Sequence, residues 1–392
     1  MHLEMRFSGL KIERVAVFGL DFPNIINQIM GLREGFRHLG IDVLAAWPHP
    51  NALVLENVLD SFQPDFVFEI NRSRNQIPEL DERFLHVCWM QDIQSLGERL
   101  DQDFGGSDLT YFIFPPSAMG YPRDLDEEVS YLLPATSPDL FEFRVEQPIF
   151  DFSFIGQMFA PISEALRNRA IEAEGRQCGT IGELLDFLEL KGVRHSTHSI
   201  QETGVVLDEF VRRYNPDIDS STIEPAIKNL SDEYFPRLRE RRQLLDGALD
   251  ISGKVGFFGT GPWHEWPRFH GHFGGYISRP SKMAEVFRRT KVNLHNGPCS
   301  MIARVLDCMA TGGAIMVNRC RWDGTPFGID RHFTAGRHFV EYDFDNFEQV
   351  ARKTLDDSDG RRRIGADAAK SVRASHTWRH RAEQILRDVS SL

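Results

Sequence analysis

The sequence predicts an α/β protein built from two doubly wound domains, the second interrupted by a helical insertion. Three observations carry this expectation. The chain has 392 residues, whereas single hydrophobic cores usually stop growing at roughly 250–300 residues. Short continuous apolar runs recur along it, separated by helical stretches, which is the pattern of parallel sheets covered on both faces. Between residues 179 and 250 that rhythm stops: GELLDFLEL, VLDEFVRRY and YFPRLRERRQLLDGAL have helical periodicity and almost no strand signal.

Taken in order, Arg14–Phe18 (RVAVF) reads as a buried strand. A turn over Gly19–Asn27 follows, then a helix from about Gln28 to Leu39 closed by Gly40. Further strands are expected at Ile41–Ala46, Pro64–Ile70, Phe84–Met90, Leu109–Phe114 and Val129–Leu133, with a helix near Asn51–Phe62. The second series opens at Phe150–Gly156 (FDFSFIG) and continues with a helix at about Ile162–Glu174. Its later strands fall at Lys254–Phe258, Val292–His295 and Ala314–Asn318. Its later helices fall at about Pro280–Arg289, Met301–Thr311, Asn346–Asp356 and Gly360–Ser375. A last helix spans about Trp378–Val389. The expected division is a first domain over 1–145, a second over 146–375 with its insertion at 179–250, and a closing helix within 376–392.

Composition excludes several function classes. The balance of 45 basic against 57 acidic residues gives −12, opposite to the footprint of a general nucleic-acid binder. Cys88, Cys178, Cys299, Cys308 and Cys320 form no C-x-x-C pair and are odd in number, which speaks against a disulfide framework or zinc site. His270 and His272 form an H-x-H without acidic company, a loop feature rather than a metal site. The first residues lack the apolar core of a signal peptide, and no run approaches the ~18 residues of a membrane span. A cytoplasmic protein with no membrane span is expected. G-x-x-x-x-G-K-[ST], G-x-S-x-G and G-x-G-x-x-G are absent, which lowers the odds of a P-loop enzyme, a serine hydrolase or a dinucleotide-binding protein.

Ligands of doubly wound sheets bind outside the carboxyl ends of the strands, so the loops after strands matter most. Gly19–Asn24 is a small polar turn that either presents backbone N–H groups to a ligand or simply connects strand to helix. Gln91 and Asp92 close a central strand, and Asp92 either orients and deprotonates a hydroxyl or caps a helix. Gly156, and Gly259-Thr260 with the following Trp263, suit loops that a ligand approaches closely, the tryptophan against a flat base. The strongest block ends a strand in His295-Asn296, passes through Ser300, and enters a helix bearing Arg304 and Asp307 before Gly312-Gly313. Arg304 near the helix start suits a diphosphate. Asp307, one turn on, suits ribose hydroxyls; the alternative is an Arg–Asp surface pair. The run Arg237–Arg242 reads as a solvated helix face.

FDFSFIGQM, KVGFFGTGPW, TKVNLHNGPCSMIARVLDCMATGGAIMVN and HTWRHRAEQIL together resemble the CgeB-like (spore-maturation-type) glycosyltransferases, relatives of the group 1 enzymes of GT-B fold. The similarity covers roughly residues 129–389 outside the insertion, including LLPATSPDLF. It implies a nucleotide-sugar donor site mostly on the C-terminal domain, no required metal, no cofactor beyond the donor, and retention of anomeric configuration. The carboxylate that holds the donor ribose in that family falls on Asp307, where glutamate is usual. A second family glutamate, eight positions earlier, is replaced by Cys299, and the basic pair expected after Gly156 is missing from QMFAPISEALR. Arg304 is the substitute cation. The expected partners are a nucleotide-sugar, a hydroxyl acceptor (glycan, protein or small molecule) on the N-terminal domain, and a second copy of the chain in a homo-oligomer. Rival expectations are a nucleotide-sugar epimerase-like enzyme on the same fold and a degenerate, non-catalytic GT-B scaffold.

Overall fold

The computed structural model describes residues 11–92, 94, 95, 98, 99, 104–119, 121 and 125–392. The first ten residues, on which the signal-peptide reading rests, lie outside the described residues. The chain divides into two compact units. The first comprises Met1–Asp139, Met301–Asp307 and Lys370–Leu392, and the second Leu140–Ser300 and Cys308–Ala369. The closing segment and part of the Arg304–Asp307 helix thus group with the N-terminal residues. No helix among the described residues is long and apolar enough to cross a membrane.

The first unit holds a parallel six-stranded sheet. Its strands are β1 (Arg14–Phe18), β2 (Asp42–Ala46), β3 (Phe66–Ile70), β4 (Leu85–Met90), β5 (Leu109–Phe112) and β6 (Ser130–Tyr131), in the order β2-β1-β3-β4-β5-β6. β3 and β4 are buried along their whole length, as their unbroken apolar runs require. Helix α1 (Pro23–Arg37) starts five residues earlier than expected because Pro23, at its first turn, is already set to helical φ. α2 spans Ala52–Phe62, and Asn51 caps it by accepting from Val54 N–H at 3.0 Å. The closing helix Trp378–Val389 lies on α1, where Gly31 and Gly35 leave room for Trp378: a Cβ at either would overlap the indole or the Trp378 carbonyl. Val17, Leu32, Phe36, Trp89, Trp378 and Ile385 share this core.

The second unit is built on a parallel five-stranded sheet. β7 (Phe150–Ile155) lies between β10 (Val255–Phe258) and β11 (Thr290–His295), followed by β12 (Ile315–Asn318) and β13 (Val340–Tyr342). β13 was not anticipated; only three residues long, it gives too short a pattern to read.

The helix expected over Ile162–Glu174 is a correction. Only Glu164–Arg167 is helical. A hairpin follows, β8 (Ala170–Ala173) and β9 (Arg176–Thr180), turning through Glu174 and Gly175 at φ 51° and 71°. Two successive positive φ values make the tight turn that suits a hairpin.

The insertion boundaries also shift. α3 (Ile181–Leu190) and α4 (Ile200–Arg212) pack with the hairpin into a separate small core that includes Ile171, Leu184, Phe210 and Leu230. α5 (Phe235–Ile251) instead belongs to the sheet core, with Leu238, Leu244, Leu245 and Ala248 against Phe152, Phe154 and Phe257. The inserted segment therefore begins before residue 179 and ends near 234.

Candidate functional site

At the carboxyl ends of the second sheet, the loops after β7 and β10 zip together. Gly156 N–H donates to Phe258 O at 2.8 Å and Met158 N–H to Thr260 O at 2.9 Å. Gly259 and Gly261 have φ +127° and +99°, and a Cβ on them would overlap the Gly156 and Met158 carbonyls. The close approach these glycines allow is thus between two of the protein's own loops. Trp263, expected to lie against a base, is in the core instead. It stacks on Phe257 and Phe273 at 5.5 and 5.4 Å, and its indole N–H donates to Thr260 O at 3.0 Å.

His295, Asn296 and Ser300 are all buried. Tyr342 OH donates to His295 O at 2.9 Å. Asn318 pins the next loop from both sides, accepting from Gly297 N–H at 3.0 Å and donating to Gly297 O at 2.9 Å. Ser300 Oγ lies 3.3 Å from Asn318 O and 3.0 Å from Cys320 Sγ.

Asn296 joins a buried polar chain that the sequence reading missed. Ser196 Oγ donates to Glu240 Oε1 at 2.6 Å, and Asn296 Nδ2 donates to Glu240 Oε2 at 3.2 Å. Arg241 Nε donates to Asn296 Oδ1 at 3.2 Å, and its Nη1 to the Gln157 carbonyl. Glu240 and Arg241 are 0% and 1% exposed, so the solvated-face reading of Arg237–Arg242 is corrected for both. The stripe Leu238, Leu244, Leu245, Ala248 carries the signal, since helical phase puts position 241 within it. Arg241 also stands over Phe154 at 5.1 Å.

The helix of the strongest sequence block is α6 (Ala303–Thr311). It ends at Gly312, whose φ of +82° is the left-handed stop that glycine supplies. A Cβ on Gly313 would lie 2.8 Å from Cys308 Sγ and 2.9 Å from Asn293 Nδ2. Both glycines thus serve the helix end and its packing.

Within the first unit, Asp307 meets two other parts of the family-like pattern. Thr136 Oγ1, from LLPATSPDLF, donates to Asp307 Oδ1 at 2.6 Å. Thr136 N–H donates to His376 O at 3.1 Å, and Trp378 N–H to Thr136 O at 3.2 Å. Arg381 donates to the Leu133 and Pro134 carbonyls at 2.7 and 3.1 Å and to His376 Nδ1 at 2.9 Å. Burial pushes the Asp307 carboxyl up to about 8, although the Thr136 hydrogen bond and the Arg304 charge pull the other way. Arg304 and Asp307 are therefore electrostatically coupled, one turn apart on one helix.

At the strand ends of the first sheet, Asn71 follows β3 with φ 61°. Its Oδ1 accepts from Gln91 N–H at 2.7 Å and from Asp92 N–H at 3.1 Å. Gln91 is buried and donates to Gln28 Oε1 of α1, whereas Asp92 is exposed. Gln94–Ser95 and Glu98–Arg99 are extended, so no helix starts at Asp92 for it to cap. Glu69, fully buried near the end of β3, pairs with Arg72 and lies 3.2 Å from His49 Nδ1. Burial would raise Glu69, but Arg72 and His49 hold it at about 2. Among the described residues, no three His, Cys, Asp or Glu side chains are grouped to hold a metal ion.

Residues 237–387 match the family model described as Glycosyl transferase-like. No curated protein matches the chain. Among solved structures, HepE of Anabaena in complex with UDP is similar over 97% of this chain and 100% of its own, at 10% identity and TM-score 0.51. The fold is GT-B. A glycosyltransferase from Rickettsia africae ESF-5 covers 97% and 98% of the two chains at 8% identity and TM-score 0.49. HepE in complex with UDP-glucose covers 96% and 100% at 11% identity and TM-score 0.48. On the GT-B chain, the family match opens at Arg237 in α5, takes in β10 to β13 and α6 with Arg304 and Asp307, and ends in the closing helix.

Proposed function

We propose that the chain is a glycosyltransferase that moves a sugar from a nucleotide-sugar to a hydroxyl acceptor. The observation that carries this reading is the Glycosyl transferase-like match over residues 237–387 of a GT-B chain. Asp307 holds the ribose. A carboxyl held to about 8 is largely neutral at pH 7, so it can donate to one ribose hydroxyl and accept from the other. Arg304, beside the start of α6, stabilises the negative charge that develops on the leaving diphosphate. With that cation in place the reaction is metal-independent. The acceptor belongs to the N-terminal residues, with Asp92 orienting or deprotonating its hydroxyl. We assign the chain to the CgeB-like, retaining group and to the cytoplasm, on the sequence motifs alone.

The bound UDP of HepE makes a nucleoside diphosphate the natural first probe. Thermal-shift measurements with UDP-, GDP-, ADP- and dTDP-sugars, in chelator and in manganese, test the reading. One donor should stabilise the protein in chelator, and Asp307→Ala should weaken its binding while the fold persists. Two ribose hydrogen bonds would be lost, each worth roughly 0.5–1.5 kcal/mol for a neutral carboxyl. Stabilisation by no donor, or binding seen only with manganese, would count against the proposal.

A further inference from the structure

Where the inserted segment joins α5, Leu230–Tyr234 forms a π turn, a feature that recurs at functional sites. Glu233 lies in it, and its two carboxylate oxygens hold two neighbours. Arg237 Nη1 donates to Oε1 at 2.6 Å, and His195 Nε2 lies 2.9 Å from Oε2. Arg237 and His195 are thereby fixed beside one another on a single carboxylate. Each still has a nitrogen in need of a partner: Arg237 Nε and His195 Nδ1 are buried and meet none among the described residues. Such orphans are uncommon in folded proteins and call for an explanation.

The surroundings suit an anion. Arg237 lies one turn before Arg241 on α5, and the two guanidinium groups stand over the Phe159 ring at 5.3 and 5.5 Å. Arg241 binds Gln157 and Asn296, which follow β7 and β11, so the group lies at the carboxyl edge of the sheet. That edge is where doubly wound sheets take ligands. Arg237 keeps 31% of its side chain exposed, enough to reach a ligand, while buried Arg241 braces the two loops.

We propose that Arg237 and His195, both held by Glu233, bind a phosphate of the nucleotide-sugar. The proposal rests on the donor reading above. A phosphate offers several acceptor oxygens, which match the donor fork of Arg237 and a hydrogen bond at His195 Nδ1.

The test uses the full chain and isothermal titration calorimetry. UDP, GDP, ADP and dTDP are titrated, then the nucleoside of the tightest binder, then inorganic pyrophosphate. Circular dichroism checks the fold of each variant. Arg237→Gln should weaken the diphosphate about tenfold to a hundredfold and leave the nucleoside unchanged. His195→Gln should act in the same direction and carries the test if Arg237→Gln does not fold. Diphosphate affinity within twofold of wild type in the folded variants overturns the proposal and leaves the glycosyltransferase reading standing. Binding of pyrophosphate alone, lost in Arg237→Gln, keeps the anion site and removes the nucleotide-sugar reading. A wild-type protein that binds none of these probes overturns both.

Discussion

Replacing Asp307 by asparagine separates the charge of this side chain from its shape. The amide oxygen can still accept from Thr136 Oγ1, which lies 2.6 Å away, so packing and hydrogen bonding are retained. What changes is titration. Burial holds the folded carboxyl at about 8, against 3.8 for an exposed aspartate. The folded state therefore binds the proton more tightly than the unfolded chain. The stability this brings is complete below about pH 4, is lost steadily as pH rises towards 8, and then levels off. The slope is at most about 1.4 kcal/mol per pH unit, or about 4 kcal/mol between pH 5 and 8. For a unit of this size each kcal/mol is about 2–4 °C in melting temperature. Thermal melts of the two proteins should nearly coincide below about pH 4 and separate steadily above it. By pH 8.5 the variant should melt higher, by about 10 °C or more. Taking the difference cancels every other titrating group. A difference that does not change with pH would refute the burial argument and remove Asp307 from the neutral, ribose-facing role.

Arg381→Leu leaves the Leu133 and Pro134 carbonyls without their buried donor and should cost about 2–4 kcal/mol in urea denaturation. A loss too small to measure would mean that water replaces the guanidinium. Gly259→Ala must place a Cβ against the Gly156 carbonyl at φ +127°, and the strain should lower stability by about 1–3 kcal/mol. Gly271→Ala, where a Cβ meets open space at φ −65°, should melt like wild type; equal melting of both variants would contradict the loop packing. Asp92→Asn should lower the transfer rate about 10²–10⁴-fold and leave nucleotide affinity unchanged. Transfer at the wild-type rate would remove Asp92 from the chemistry.

The two sheets were legible in the sequence because strands buried on both faces must be apolar throughout. RVAVF and LHVCWM therefore announced β1 and β4 with no structural help. The closing helix Trp378–Val389 was read to its ends, its 3.6-residue period running uninterrupted behind Thr377. Where short-range signals compete, the reading failed. Glu174-Gly175 turns a hairpin inside what reads as one helix, because neither strand is long enough to break the apparent period.

The site was legible as a set of residue types and not as an arrangement. The sequence by itself determined that Arg304 and Asp307 lie one turn apart on a helix, since that depends only on local periodicity. It also placed glycines at 156, 259, 312 and 313, where the backbone can be approached closely, without showing what approaches them. Tertiary structure decided that Gly259, Gly312 and Gly313 face the protein's own backbone and side chains. It decided that Thr136, 171 residues away, supplies the partner of Asp307. It also decided that Arg241 reaches the loop after Gly156, where the sequence lacks a basic pair, from 84 residues further along the chain. Charge and hydrogen bonding act through space, and a buried side chain takes its pKa from whatever the fold sets beside it. Neighbours in sequence determine helical phase and strand alternation, while desolvation and pairing are properties of the folded chain alone.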